Sequence, residues 1–164
     1  MMLRLLLLLV VINLKAGLDP LKTRYANQAK QRAENAVASN DYKTAIEAYN
    51  YLLDTLKVKD DKALLNLAHA HMKRADYNNA ISRYTEATKT TDTKIKSIAF
   101  QQLGILQSER GNREEAKDHF KSAIKFDPAN TQARFNYELM VKNKNKDIPK
   151  SQDKQQRQKE EKKK

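Results

Sequence analysis

The sequence predicts an all-α fold, a stack of helix pairs, on three observations. Segments Asp41–Tyr49 (DYKTAIEAY), Asp76–Tyr84 (DYNNAISRY) and Asn112–Phe120 (NREEAKDHF) share one spacing of small and aromatic residues. Their anchor alanines Ala45, Ala80 and Ala116 lie 35 and 36 residues apart, a period that marks stacked helical repeats. The 164 residues include only 3 Gly and 3 Pro, with 32% charged and 40% hydrophobic side chains, a balance that favours soluble helix over strand. A single helix pair cannot bury its apolar face alone, so the pairs must stack, leaving one inner wall free for another polypeptide.

The elements follow in order. Met1 to Leu14 reads MMLRLLLLLVVINL, with Arg4 ahead of the apolar run Leu5 to Ile12. A membrane-spanning helix needs about 20 apolar residues. The run is shorter and matches the core of a secretory signal. Lys15 ends it, followed by the small residues Ala16 and Gly17. Residues 1–17 are therefore expected to be a signal peptide or a short membrane anchor. Leu14 makes the cleavage site imperfect, which leaves the anchor open. A helix buried on the first repeat would not carry Leu and Val all round.

Three repeats are expected at 26–60, 61–96 and 97–130. The first has a thin stripe, Ala29, Arg32, Ala33 and Ala36, as befits a terminal unit, and Asn40 at its turn tolerates left-handed backbone. In the second, Leu64, Leu67, Ala68 and His71 form one helix stripe and Ala80, Ile81, Tyr84, Ala87 and Thr88 another, so Arg74 to Tyr77 must turn the chain. In the third, Phe100, Leu103, Gly104 and Gln107 precede a turn at Gly111–Asn112, where glycine suits a left-handed helix end. Gly104 is mid-helix, where it costs up to about 1 kcal/mol relative to Ala. Close helix contact is the expected reason, with Tyr49, Tyr84 and Phe120 filling the adjoining groove. Pro128 separates the last pair from a capping helix at 129–142, with Ala133, Tyr137 and Met140 turned back onto the stack. Residues 143–164 are nearly all Lys, Gln, Asp, Asn and Glu, and are expected to form a disordered basic tail.

These motifs resemble the tetratricopeptide repeat family. GNREEA…F…A.KFDP and ADYNNAI..Y..A are similar to its second-helix signature, and Leu67–Ala68 and Leu103–Gly104 to its first. The likeness spans Ala26 to Asn130 and is partial in the first repeat, where Arg32–Ala33 replaces the usual large–small pair. It implies a right-handed α-solenoid of three helix pairs plus the cap, with leading helices lining a groove for proteins or peptides. A finer likeness rests on Ala133-Arg134-Phe135-Asn136-Tyr137-Glu138-Leu139 and the Lys/Gln-rich tail. It points to the tetratricopeptide proteins of the Bat (aerotolerance) operons of Bacteroides-type bacteria, and implies membrane partners with von Willebrand A-type domains.

The groove-facing residues are expected to be Asn27, Lys30 and Glu34 in the first repeat; Lys62, Leu65, Asn66, His69 and Lys73 in the second; and Gln101, Gln102, Ile105 and Glu109 in the third. Some family members hold a partner's terminal carboxylate with a basic and amide clamp. Lys30 and Asn66 occupy two matching places, but Glu34 replaces an amide and Ile98 and Gln102 replace basic residues. That weakens carboxylate pairing.

Cysteine is absent, which excludes disulfides, thiolate metal sites and a thiol nucleophile. His69 and His71 stand two apart rather than the i, i+4 of helical zinc ligands, so no metal is expected, and no cofactor. No phosphate-loop, dinucleotide or GxSxG motif occurs, and no enzyme activity is expected. The net charge of +12 would suggest nucleic acid, but the excess sits at the two ends. Between Lys142 and Lys164 there are ten Lys or Arg against four Asp or Glu. That tail lacks the aromatics that stack on bases, so nucleic acid is not the expected partner. A solubilising role is favoured, and leader or tail could also touch an anionic membrane surface. The expected function is a non-catalytic protein-interaction scaffold in the periplasm or at the inner membrane. A cytosolic adaptor or chaperone cofactor is the alternative.

Overall fold

The computed structural model describes residues 19–144. The leader and the tail beyond Lys144 lie outside the described residues. Within them the regular elements are helical: α1 (Pro20–Ala38), α2 (Tyr42–Asn50), a π-helical stretch (Tyr51–Thr55), α3 (Asp61–Lys73), α4 (Tyr77–Ala87), α5 (Thr93–Glu109), α6 (Arg113–Phe126) and α7 (Thr131–Lys144). The chain forms two compact units, Met1–Ala80 and Ile81–Lys164, and the boundary falls inside α4.

Helix starts are set by short polar caps. The Asp19 carboxylate accepts from the Leu21 and Lys22 amides, with Pro20 in the first turn; Asp41 accepts from Thr44, Asp60 from Ala63, and Asp92 from Lys94 and Ile95. Each satisfies amide groups that the helix itself leaves unpaired. Helix ends repeat with the period of the sequence. Asn40, Ala75 and Gly111 all take positive φ, at 61°, 57° and 80°. The next residue in each case donates its N–H five residues back: Asp41 to Ala36, Asp76 to His71, Asn112 to Gln107, at 2.8–3.0 Å. This closes the last turn and reverses the chain.

In the first unit α1 packs on α2 and α2 on α3. The core contains Ala29, Ala33 and Ala36 from α1, Ala45, Ala48 and Tyr49 from α2, Leu52 from the π stretch, and Ala63, Leu67 and Ala70 from α3. Arg32, placed with the first stripe by its spacing, is exposed and lies 3.8 Å from Glu47. Alanine dominates because the helices approach closely, and Tyr49, 1% exposed, fills what the small residues leave. The π stretch is marked by the Leu56 N–H bonding to Tyr51 O at 2.9 Å, and left-handed Lys57 (φ 52°) follows.

In the second unit α5 packs on α6 and α6 on α7. A β-carbon built on Gly104 would sit 2.6 Å from Phe120 Cε1 and 2.7 Å from Cδ1. The missing side chain is the space the phenylalanine ring occupies, as the close-contact reading expects. Ser97, fully buried, donates to the Ala123 carbonyl (2.8 Å) and accepts from Asn130 Nδ2 (3.0 Å). Asn130 Oδ1 in turn accepts the Ala133 N–H at 3.0 Å, capping α7. One serine thus joins α5, the end of α6 and the start of α7. Ala133 is buried, while Arg113 Nη2 donates to Met140 O at 2.8 Å, so α7 lies back on the helix pair.

Candidate functional site

The polar wall of the first unit is built from α1 and α3. Asn27 and Glu34 are exposed and Lys30, between them, is half-buried. Lys30 Nζ lies 2.7 Å from Asp60 Oδ2, and Asp60 Oδ1 also caps α3. The hydrogen bond and charge of Asp60 hold the Lys30 ammonium above its usual range. Burial raises the Asp60 carboxyl, but Lys30 and the Ala63 amide outweigh it and hold the group below the usual carboxylate range. The cation that a ligand carboxylate would need is already neutralised inside the fold.

Asn66 is engaged as well: its Nδ2 donates to the Tyr49 hydroxyl at 3.3 Å. Lys62 and Lys73 are exposed, whereas Leu65 is buried and presents little surface. His69 is half-buried, and burial holds its imidazole below the usual histidine range. His71 is buried, with Nδ1 2.9 Å from Asp76 Oδ2. The first unit therefore brings these groups onto neighbouring helices but spends the clamp-like pair, Lys30 and Asn66, on internal bonds.

The second unit holds a cleft of about 620 Å³ between α5 and α7, lined by Gln101, Gln102, Ile105, Thr131, Gln132, Phe135 and Asn136. Three of the expected groove residues, Gln101, Gln102 and Ile105, meet here. Glu109, the fourth on this helix, is exposed and outside the lining. Gln101 Nε2 donates to Gln132 Oε1 at 3.0 Å, fixing one wall to the other. The α7 residues were not expected as lining, because the helix reads as a cap. Their signal was present: Gln132, Phe135 and Asn136 fall at i, i+3, i+4, one face of a helix, and none is a residue that a cap needs to bury. Phe135 is 66% exposed.

A second cleft, about 370 Å³, lies between α1, α2 and the start of the π stretch, among Tyr25, Gln28, Ala29, Arg32, Glu47, Ala48 and Tyr51. Elsewhere Phe100 stacks on Phe126 with centroids 5.6 Å apart, and Lys96 Nζ sits 4.7 Å from the Phe126 centroid. Among the described residues no group of three His, Asp or Glu could hold a metal ion, and no helix is long and apolar enough to cross a membrane.

Helices joined in pairs by the same left-handed turn, with buried Ala45, Ala80 and Ala116 and buried Tyr49, Tyr84 and Phe120 recurring along them, define an all-α helical-repeat fold. Residues 63–96 and 98–130 match the tetratricopeptide repeat, and these two segments are tetratricopeptide repeats. Solved structures agree in fold. The tetratricopeptide domain of Arabidopsis OM64 is 18% identical, with 74% of this chain and 98% of that one covered and a TM-score of 0.64. The second such domain of human RPAP3, solved in complex with an HSP70 peptide, is 24% identical over 73% of this chain and 98% of that one, with a TM-score of 0.63. The Yersinia enterocolitica type III secretion chaperone SycD, in complex with a peptide of the translocator YopD, is 18% identical over 72% and 93%, with a TM-score of 0.64.

Proposed function

We propose that the chain is a non-catalytic scaffold for protein–protein interaction, its repeats holding segments of other polypeptides. The observation that carries this reading is the cleft between α5 and α7: preformed, rich in side-chain amides, with one aromatic ring left in water. A preformed wall keeps the ordering cost of binding low. Similar solved domains were captured with an HSP70 peptide and a translocator peptide, which supports the same use here.

The place of action is proposed from the leader, MMLRLLLLLVVINL: export to the periplasm or attachment at the inner membrane. The Ala133–Leu139 segment and the basic sequence after it support a Bat-like aerotolerance role beside membrane proteins with von Willebrand A-type domains. A cytosolic adaptor or chaperone cofactor is the second reading, favoured by the HSP70 peptide on the human neighbour and opposed by the engagement of Lys30 with Asp60.

Cell fractionation with N-terminal sequencing separates the two, since a soluble cytosolic chain that keeps Met1 removes the exported reading. Crosslinking in intact cells tests the scaffold itself. A discrete crosslinked partner, weakened by Gln102→Ala and kept by a change at Lys43, is the expected result; no crosslinked polypeptide under any condition ends the scaffold reading.

A further inference from the structure

Nearly a third of this chain is charged, yet among the described residues no charged side chain lines the α5–α7 cleft. What lines it is amide: Gln101 and Gln102 on α5, Gln132 and Asn136 on α7. A side-chain amide carries both a donor and an acceptor, and so does every peptide group. The Gln101–Gln132 bond uses one Nε2 and one Oε1; Gln101 Oε1 and Gln132 Nε2 take no part in it. Beside the amides stand Ile105, half-buried, and Phe135, 66% exposed. An exposed phenylalanine in a concave setting is surface that a partner's apolar side chain would remove from water. From Gln101 to Ile105 the α5 wall rises about 6 Å, the length of about two extended residues.

We infer that this cleft binds a short, uncharged, extended segment from within a partner polypeptide, reading its peptide groups through the amides and one bulky aliphatic or aromatic side chain through Ile105 and Phe135. The inference rests on the scaffold reading and names the class of ligand. An acidic chain end finds no cation in this wall, because none of the described residues lining the cleft is charged. Binding therefore does not depend on a free carboxylate. It is also nearly indifferent to ionic strength, since screening acts on charge pairs that this site lacks.

The full chain is tested against arrays of short random peptides, each made once with both termini blocked and once with a free C-terminus. The expected result is enrichment of uncharged sequences containing Leu, Ile, Met or Phe, equal binding of both forms, and affinity steady between about 0.05 and 0.5 M salt. Phe135→Ala and Gln132→Ala should each weaken the selected peptides by about tenfold, as loss of a central anchor does, while Lys43→Ala in the first unit leaves them unchanged. Phe135 is largely in water, so its alanine variant should melt as the parent does. Selection of acidic peptides, a need for the free carboxylate, a steep salt dependence or indifference to Phe135→Ala overturns the inference. It is equally overturned if the chain proves to be a dimer that Phe135→Ala dissociates, or if deleting residues 145–164 strengthens binding about tenfold, since a second copy or the tail would then be the occupant. Peptides held through Asn66 and His69 instead overturn this inference and leave the scaffold reading standing; a chain that crosslinks to nothing in cells loses both.

Discussion

Gly104 and Phe120 approach closely in the second unit, leaving no room for a β-carbon. Replacing Gly104 by Ala gains about 1 kcal/mol of helix propensity. It also drives a β-carbon to 2.6 Å from a buried ring, and overpacking of that kind typically costs about 1–3 kcal/mol. Gly104→Ala is therefore expected to destabilise by about 1 kcal/mol in chemical denaturation, and Phe120→Leu should remove the penalty in the double variant. The opposite sign is expected at Ala75. An L-residue in the left-handed region costs about 1–2 kcal/mol, and glycine loses only part of that gain through the unfolded chain. Ala75→Gly should raise stability by roughly 0.5–1 kcal/mol, read as a higher midpoint. Ser97→Ala leaves the Ala123 carbonyl with the Asp127 N–H at 3.0 Å but takes the acceptor from Asn130 Nδ2. Losing both hydroxyl bonds, with one donor left unpaired, should cost about 1–3 kcal/mol, and denaturant titration with an unchanged slope would show it.

At the scale of elements, the repeat pairs were legible because each signal is local. Small residues spaced 35 and 36 apart placed α2, α4 and α6, and the left-handed turns at Asn40, Ala75 and Gly111 follow the same spacing. Two features were not legible. The π stretch at Tyr51–Thr55, with Leu52 buried in it, leaves no mark in apolar periodicity, since it departs from the α-helical repeat over a single turn. The use of α7 as a cleft wall was also hidden. Its buried face, through Ala133, announces a cap, while the opposing face gains meaning only once Gln132 reaches Gln101. Asn130 is the hinge of that arrangement: it caps α7 and bonds Ser97. Asn130→Ala should cost about 1–2 kcal/mol, in the range of a lost helix cap. It should also lower binding in the α5–α7 cleft, which calorimetry with a selected peptide would measure.

For the whole molecule, protonation should weaken the fold in two steps on acidification. Burial holds the folded-state His69 imidazole below its usual range. The unfolded chain then binds the proton first, so stability is present above the unfolded value of about 6.5 and falls as pH drops through it toward the folded value. Asp76 is held low by the Asn79 side chain and then by His71, and Asp41 by Thr44. Their contributions are present above about pH 4, the unfolded carboxylate value, and are lost as pH falls through their folded values. Thermal melts from pH 8 downward should show a first decline between about pH 7 and 5 that His69→Gln flattens. A second should follow below about pH 4 that Asp76→Asn reduces. A melting temperature constant from pH 8 to 5 in the parent chain would contradict the histidine assignment.

The sequence alone determined the helical class, the repeat period and the close-contact positions, because backbone turns and small-residue spacing are properties of short stretches of chain. The tertiary structure decided which polar groups remain for a partner. Lys30 and Asn66 look available in the sequence, yet Asp60 and Tyr49, 30 and 17 residues away, engage them. Gln101 looks like one groove residue among many, yet an amide 31 residues on makes it part of a wall. A hydrogen bond between distant residues is created only when packing brings them within about 3 Å, and no local pattern encodes that distance.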